Sequence, residues 1–126
     1  MTGLRELYHC EVCGNVVEVV HEGAPALVCC EKPMRKLEAG TRDKGFEKHV
    51  PVAEFSGNVL RVKVGEQPHP MENEHYIKFI EVTTADKVFR KELSAGGSPE
   101  AEFSVPEDEV TEIREYCNVH GLWKRP

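Results

Sequence analysis

The sequence predicts a mainly β protein in two parts, a small metal-stabilised module followed by a β-sandwich. Runs of alternating apolar and polar residues recur from residue 49 onward, with turn residues about every 8–12 positions, as in β-sandwiches. Four of the five cysteines lie between residues 10 and 30, close enough to share one metal ion. The 126 residues suffice for one ordinary domain, or for one domain plus a small module.

The composition is that of a folded, soluble protein. Hydrophobic residues make up 40% of the chain and charged residues 30%, which excludes a disordered chain. No segment approaches the roughly 20 apolar residues of a membrane-spanning helix, and residues 1–9 lack the apolar core of a secretory signal. We therefore expect a cytoplasmic protein that binds no membrane. The net charge of −6 argues against general affinity for nucleic acid.

Residues 1–37 are predicted to form the first module. Cys10-Glu11-Val12-Cys13 places two sulfurs on one turn, and Gly14 can take the positive φ that such a turn often needs. A short strand is expected over the valine-rich residues 16–20, followed by a turn over 21–25. Cys29-Cys30 then forms the second pair of thiols. Because so small a module has little apolar core, we expect a metal ion to stabilise it.

Residues 38–126 are predicted to form the second domain, which begins with a polar linker or surface loop over 38–46. Alternation of apolar and polar residues, or richness in β-forming residues, predicts strands over residues 60–64, 76–82, 88–90 and 101–105. Turns are predicted over 56–58 and 84–87. Residues 110–117 fit a short helix about as well as a last strand.

The four clustered cysteines predict a metal site with four thiolate ligands. Thiols stay reduced in the cytoplasm, and an odd total of five cannot pair completely as disulfides. Tetrahedral thiolate sites hold zinc or iron, and the spacing favours neither. Side chains of neighbouring residues in extended backbone point to opposite faces. Cys29 and Cys30 can therefore bind one ion only if the backbone bends between them, which predicts a distorted site.

A second group of possible metal ligands consists of four histidines and the remaining cysteine: His49, His69, His75, Cys117 and His120. A single histidine at any of these positions would usually be a surface or core residue. Together, the five suit an iron ion with one open coordination position, since zinc sites normally stop at four ligands. Glu47 and Lys48, beside His49, are either solvated charges or a carboxylate that can occupy the open position and a lysine that attracts a small anion.

Six stretches distributed over nearly the whole chain form a specific set of motifs: YHCEVCGNVVEV, LVCCEKPM, EKHVPV, HPMENEHYI, PEAEF and REYCNVHGLWK. With these motifs in this order, the chain resembles the desulfoferrodoxin family, the two-iron form of superoxide reductase. The adjacent Cys29 and Cys30 match the two-iron form, since the short superoxide reductases lack the N-terminal cysteines.

The resemblance implies both the fold and two iron ions. Residues 1–37 would be a desulforedoxin-like or rubredoxin-like module and residues 38–126 an immunoglobulin-like β-sandwich. The first iron would be bound by Cys10, Cys13, Cys29 and Cys30. The catalytic iron would have His49, His69, His75 and His120 as equatorial ligands and Cys117 as the axial ligand.

The resemblance also implies the reaction. Ferrous iron reduces superoxide by one electron to hydrogen peroxide without releasing dioxygen, and rubredoxin or a similar donor then restores the ferrous state. In the family, the glutamate that corresponds to Glu47 binds the oxidised iron and moves away on reduction. The lysine that corresponds to Lys48 attracts superoxide and assists protonation. Such proteins are typically homodimers.

Backbone N–H groups after Cys117, such as those of Asn118 and Val119, are expected to donate hydrogen bonds to its sulfur, as is general around metal ligands.

The main alternative function is that of a rubredoxin-type electron carrier with a structural second metal site. A weaker alternative is a zinc-ribbon interaction module. A five-ligand second site favours the enzyme, whereas a closed four-ligand site favours the alternatives.

Overall fold

The computed structural model describes residues 1–43 and 48–126, which form two compact units, Met1–Glu38 and Ala39–Pro126. The first unit contains five short strands: β1 (Leu7–His9), β2 (Val16–Glu18), β3 (Val28–Cys29), β4 (Lys32–Pro33) and β5 (Arg35–Lys36). Strand β1 lies between β2 and β5 in an antiparallel sheet, and β3 and β4 form a separate hairpin. The predicted strand over 16–20 is thus confirmed for its first three residues.

The first unit has very little apolar core. Four side chains are buried in it: Leu7, Cys10, Val19 and Leu37. Modules of this size usually need disulfides or a metal ion to stay folded, and the cysteines of this unit are free thiols, which agrees with the predicted need for a metal ion.

The second unit is a sandwich of two antiparallel sheets. Its strands are β6 (Pro51–Ser56), β7 (Val59–Val64), β8 (Ile77–Thr83), β9 (Val88–Glu92), β10 (Glu100–Ser104), β11 (Glu112–Cys117) and β12 (Gly121–Lys124). One sheet has the order β10-β7-β6 and the other β12-β11-β8-β9. A 3-10 helix (Glu107–Glu109) precedes β11. The mainly β fold, with a small metal-binding module before a β-sandwich, is as predicted.

The core of the sandwich lies between its two sheets. Leu60, Val62 and Val64 from β7 meet Ile80 and Val82 from β8 there, all of them fully buried or nearly so. The alternation that predicted β7 arises because every second residue faces this core. Strands β6 and β12 were not predicted, since their patterns do not alternate as clearly.

A register shift between β8 and β11 sets the position of Cys117. Tyr116 pairs with Phe79, but Cys117 pairs with Ile77, so β8 carries one extra residue at this point. The shift is a β-bulge, a feature that re-aims side chains next to functional sites. Residues 112–117 form strand β11, so the helical alternative for 110–117 is wrong. Within the described residues no helix is long and apolar enough to cross a membrane.

Candidate metal centres

The four cysteines of the first unit come together around a tight turn and a hairpin. The turn after β1 is closed by the Gly14 N–H, which donates to the Cys10 carbonyl at 2.9 Å, and Gly14 has a φ of 87°. The Sγ atoms of Cys13 and Cys29 are 3.5 Å apart, and those of Cys29 and Cys30 are 3.9 Å apart. All four sulfurs lie within 4.8 Å of one another, so they can surround a single ion.

The adjacent cysteines reach the same point because the backbone bends as expected. Cys30 has a φ of 51° and Glu31 a φ of 64°, so both residues adopt left-handed backbone. Residues with a Cβ rarely take this conformation, which costs about 1 kcal/mol or more per residue. This strained backbone at Cys30 and Glu31 turns the Cys30 thiol toward the other three thiols of the cluster.

The thiols of this cluster differ in acidity. The N–H of Cys13, 3.5 Å from the Cys10 sulfur, lowers the pKa of Cys10 to about 6. Contact with Cys13, and then with Cys29 and Cys10, raises the pKa of Cys30 to about 12. Four neighbouring sulfurs thus resist full ionisation, because each added negative charge repels the others. A bound cation would remove this conflict, since metal ligation requires thiolates.

The second group of donors lies at one end of the β-sandwich, where several strands begin or end. His49 precedes β6, His69 and His75 lie between β7 and β8, Cys117 ends β11, and His120 lies in the turn before β12. Pairing of β6 with β7, and of β8 with β11, brings these strand ends together. The five donor atoms lie within 4.8 Å of one another.

The four imidazole rings form a closed cycle. Ring centroids of His49 and His69, His69 and His75, His75 and His120, and His120 and His49 are 4.9, 4.7, 4.9 and 4.8 Å apart. Each adjacent pair is steeply inclined, with interplanar angles of 65–86°. A cycle of four rings around a common centre can present four nitrogens to one metal ion.

Hydrogen bonds select the nitrogen that faces this centre. The Nδ1 of His69 donates to the Pro70 carbonyl at 2.7 Å, which leaves its Nε2 for a metal. The Nε2 atoms of His69 and His75 are buried and have no hydrogen-bond partner among the described residues. Buried polar atoms nearly always have a hydrogen-bond partner, so two unpaired nitrogens in one cluster indicate that they bind a metal ion. His120 differs from these two in that its Nδ1 is the nitrogen near the other donors, 3.1 Å from His49 Nε2.

The environment keeps these imidazoles in the form that binds metals. Burial lowers the pKa of His69 to about 4, and burial also lowers the pKa values of His49 and His75. At neutral pH the three rings are therefore uncharged. A neutral imidazole has a free lone pair, so this part of the site is ready to coordinate a cation.

Cys117 approaches the ring cycle from the protein interior. Its side chain is fully buried, and its Sγ lies 3.9 Å from His120 Nδ1. Burial raises the pKa of the thiol, while N–H groups of His120 and Val119 lower it. The His120 N–H lies 3.4 Å from the sulfur. The prediction that the Asn118 N–H donates to this sulfur is wrong, because that N–H donates to the Tyr76 carbonyl.

Comparisons with known proteins match both units. The family model described as the desulfoferrodoxin N-terminal domain matches residues 2–37, and the model described as desulfoferrodoxin matches residues 41–126. Desulfoferrodoxin homologs from Methanothermobacter thermautotrophicus and Archaeoglobus fulgidus are both 54% identical to the chain. The first alignment covers 98% of this chain and 99% of the relative, and the second covers 98% of each.

The chain belongs to the desulfoferrodoxin family. Among solved structures, it is similar to the superoxide reductase from Treponema pallidum, with a TM-score of 0.79 and 34% sequence identity. That likeness covers 96% of this chain and 97% of the other. The resemblance seen in the sequence motifs is thus confirmed across both units.

The donor sets of the two units fit two iron ions. Four thiolates suit iron in the first unit, and four imidazoles with one thiolate give the second unit more donors than a zinc site normally takes. Lys48 is half-buried, and its charge contributes to the lowered pKa of His75, which places it near the imidazole cycle. Glu47 lies outside the described residues.

Three further residues around the sandwich site were not identified from the sequence. Asp43 contacts His49, Trp123 stacks on the His49 ring with centroids 4.6 Å apart, and Glu115 is buried two residues before Cys117. Asp43 and Trp123 are separated by 80 positions along the chain, so no local pattern connects them. Of the three, only Glu115 could have been noticed in the sequence, because a charged residue there lies on the same face of the strand as the apolar Ile113.

Proposed function

We propose that this chain is a superoxide reductase that converts superoxide, one electron and two protons into hydrogen peroxide without forming dioxygen. The observation that carries this proposal is the cluster of four imidazoles and one buried thiolate at the end of the sandwich. A rubredoxin-type carrier with a structural second metal would need a closed site with four ligands there, and the cluster offers five donors.

The roles of the five donors follow from their places in the cluster. His49, His69, His75 and His120 are proposed as the equatorial ligands, because their rings form a cycle. Cys117 is proposed as the axial ligand on the interior side. An iron ion bound by these residues would supply the electron that superoxide takes up. His120 is exposed and His49 and His75 are half-buried, whereas Cys117 is fully buried, so solvent reaches the cluster at the imidazole rings and not at the thiol.

Lys48 is proposed to attract superoxide and to assist protonation of the product. Superoxide is a small anion, and the chain as a whole is negatively charged, so attraction must come from a local positive charge. The influence of Lys48 on the pKa of His75 supports its place beside the open side of the cluster. Glu47 is proposed to occupy the open coordination position in the oxidised state.

The first unit is proposed to carry the other iron, bound by Cys10, Cys13, Cys29 and Cys30. The exposure of Cys13 and Cys30 supports electron exchange with a small protein donor such as rubredoxin. We assign residues 1–37 to this module and residues 38–126 to the superoxide-reducing domain. A cytoplasmic homodimer is the expected form of the protein.

Pulse radiolysis of the iron-loaded protein tests the proposed function. The enzyme should consume superoxide in a second-order reaction and release hydrogen peroxide, with no dioxygen produced. Production of dioxygen in step with hydrogen peroxide would indicate dismutation instead. A protein that binds iron at both centres and leaves superoxide untouched would support the electron carrier.

A further inference from the structure

Asp43 is the side chain that most closely supports a ligand of the sandwich centre. Its carboxylate is almost completely buried, with 6% of the side chain exposed. The Val50 N–H donates to Oδ2 at 2.8 Å, and the His49 N–H lies 3.1 Å from both carboxylate oxygens. The Nδ1 of His49 is 3.1 Å from Oδ1. One carboxylate therefore contacts the backbone and the ring of the same histidine.

The chemistry of these groups fixes which nitrogen of His49 carries the proton. An ionised carboxylate only accepts hydrogen bonds, so the Nδ1 of His49 must donate and the lone pair must reside on Nε2. This Nε2 is the atom that lies 3.1 Å from His120 Nδ1 in the imidazole cycle. The contact with Asp43 thus points the metal-binding nitrogen toward the other ligands.

His69 provides an internal comparison for this arrangement. Its Nδ1 also donates, but to the neutral carbonyl of Pro70. A hydrogen bond to a charged acceptor is roughly twice as strong as one between neutral groups, and a carboxylate partner makes an imidazole a better electron donor to its metal. His49 is the one ring of the four that contacts a carboxylate within the described residues.

The same carboxylate joins two separated points of the chain. By accepting from the N–H groups of His49 and Val50, the Asp43 carboxylate connects residue 43 to residues 49 and 50. On the other side of the His49 ring, Trp123 stacks at an interplanar angle of 17°. The ring is therefore held by a hydrogen bond at its edge and by packing on its face.

We propose that Asp43 is a positioning residue of the sandwich metal centre, which holds His49 with Nε2 toward the metal and strengthens its donation. This inference rests on the proposed function only in that the centre binds iron; it does not require the centre to reduce superoxide. Asp43 is not among the five clustered donors, and it contacts the centre through the ring and backbone of His49, next to its hydrogen bond from the Val50 N–H.

The test uses the full-length protein with Asp43→Asn and Asp43→Ala, and Asp108→Asn as the matched control. Asn keeps an oxygen that can accept from the backbone and loses the charge, whereas Ala loses both. Asp108 is exposed in the 3-10 helix at the far end of β11, so its loss removes the same charge away from the centre.

Three readouts are measured. Nitrogen NMR of the metal-free protein above neutral pH should show His49 protonated on Nδ1 in the wild type, and a mixture of both tautomers in Asp43→Asn. Competition with a chelator for ferrous iron at the sandwich centre should show about 10-fold weaker binding for Asp43→Asn and up to about 100-fold for Asp43→Ala. The reduction potential of the same iron should rise in Asp43→Asn, because a weaker donor stabilises the ferric state less.

Asp108→Asn should match the wild type in all three measurements. If Asp43→Asn keeps the wild-type tautomer, affinity and potential, the proposal is wrong, whatever the activity. If these change but no form of the protein reduces superoxide, the proposed function fails and the role of Asp43 stands. Should Asp43→Ala fail to fold, the Asn variant still decides the question.

Discussion

The two metal centres depend on their surroundings in opposite ways. In the first unit, four thiols are gathered by a turn and a strained hairpin over a core of four buried side chains. In the sandwich, the donors lie at the ends of strands that already share a large core, and hydrogen bonds that His49 donates to Asp43 and His69 donates to the Pro70 carbonyl orient two of the rings. The metal therefore holds the first unit together, whereas the fold holds the ligands of the second.

This difference suits two tasks. A closed site with four thiolates has no position for a substrate, but its exposed sulfurs can pass electrons to and from another protein. The sandwich centre combines a buried thiolate with rings that reach solvent, which allows a small molecule to approach from one side. Substitutions in the two units should therefore affect different properties of the protein.

The largest expected effect is loss of the superoxide reaction in Cys117→Ser. Cys117 supplies the one thiolate of the sandwich cluster, and a hydroxyl is a far weaker donor to iron. Since losing an outer partner of a metal ligand already costs about 10- to 100-fold, losing this ligand should cost more than about 100-fold. Pulse radiolysis of the variant, with the iron of the first unit shown to be intact, measures it. Turnover near the wild-type rate would exclude an axial role.

Metal removal should unfold the first unit and leave the sandwich folded. The core of Leu7, Cys10, Val19 and Leu37 is too small to hold the unit, while structural metal ions contribute on the order of 10 kcal/mol in small modules. Amide hydrogen exchange of the metal-free protein should show rapid exchange in residues 1–38 and continued protection in strands β7, β8 and β11. Protection that persists equally in both units would show that the first unit does not need its metal.

Much of this architecture could be predicted from sequence, because the deciding patterns are local. Alternation over residues 60–64 predicted β7, the spacing of Cys10 and Cys13 predicted a turn with Gly14 at positive φ, and the adjacency of Cys29 and Cys30 predicted a backbone bend. Each of these depends on residues a few positions apart. The same holds for the family motifs, which surround every proposed ligand.

What sequence could not supply are contacts made by the tertiary fold. No periodicity in the sequence indicates the hydrogen bond between the Asp43 carboxylate and the His49 ring. The stacking of Trp123 on His49 joins residues 74 positions apart. Gly40, in the segment expected to be a linker, forms a bridge with Trp123, and a Cβ there would lie 2.7 Å from the indole ring.

Lys48→Ala should slow the reaction with superoxide about 10-fold, the low end of electrostatic steering. The wild-type rate should fall more steeply with added salt than the rate of the variant, since salt screens the charge that the substitution removes. Lys87→Ala is the matched control, because Lys87 is exposed in the turn at the far end of β8 from His75. The seven residues of β8 span about 20 Å, well beyond the screening length of about 8 Å at physiological salt. If wild type and Lys48→Ala have equal rates and the same dependence of the rate on salt, Lys48 does not attract superoxide.

Glu47→Ala should act on a different step. Removing this negative charge should leave the encounter with superoxide unchanged or slightly faster. Its effect should appear in the oxidised protein, which should bind azide or cyanide more tightly if Glu47 otherwise occupies the open position. Titration of the ferric form measures this. Unchanged anion binding would remove the proposed role of Glu47.

The smallest expected effect is on stability, in Glu115→Gln. Burial raises the pKa of Glu115 well above its ordinary value, and its two oxygens have no hydrogen-bond partner among the described residues. Because the folded state favours the protonated form, this residue costs stability as the pH rises above the pKa of the unfolded chain, about 4.3. Gln should therefore be more stable than wild type at neutral pH, on the order of 1–3 kcal/mol, and the gain should vanish in acid. Denaturant midpoints from acid to neutral pH measure it, and a gain independent of pH would contradict this explanation.

The rate of superoxide reduction by Cys13→Ser tests most directly whether the two metal centres have separate functions. This substitution removes a ligand of the first centre and leaves every proposed residue of the sandwich centre unchanged. The protein should retain one iron per chain and react with superoxide at the wild-type rate, as followed by pulse radiolysis of the reduced form. A variant that keeps the sandwich iron but no longer reduces superoxide would contradict the account, because the first centre would then be part of the reaction itself.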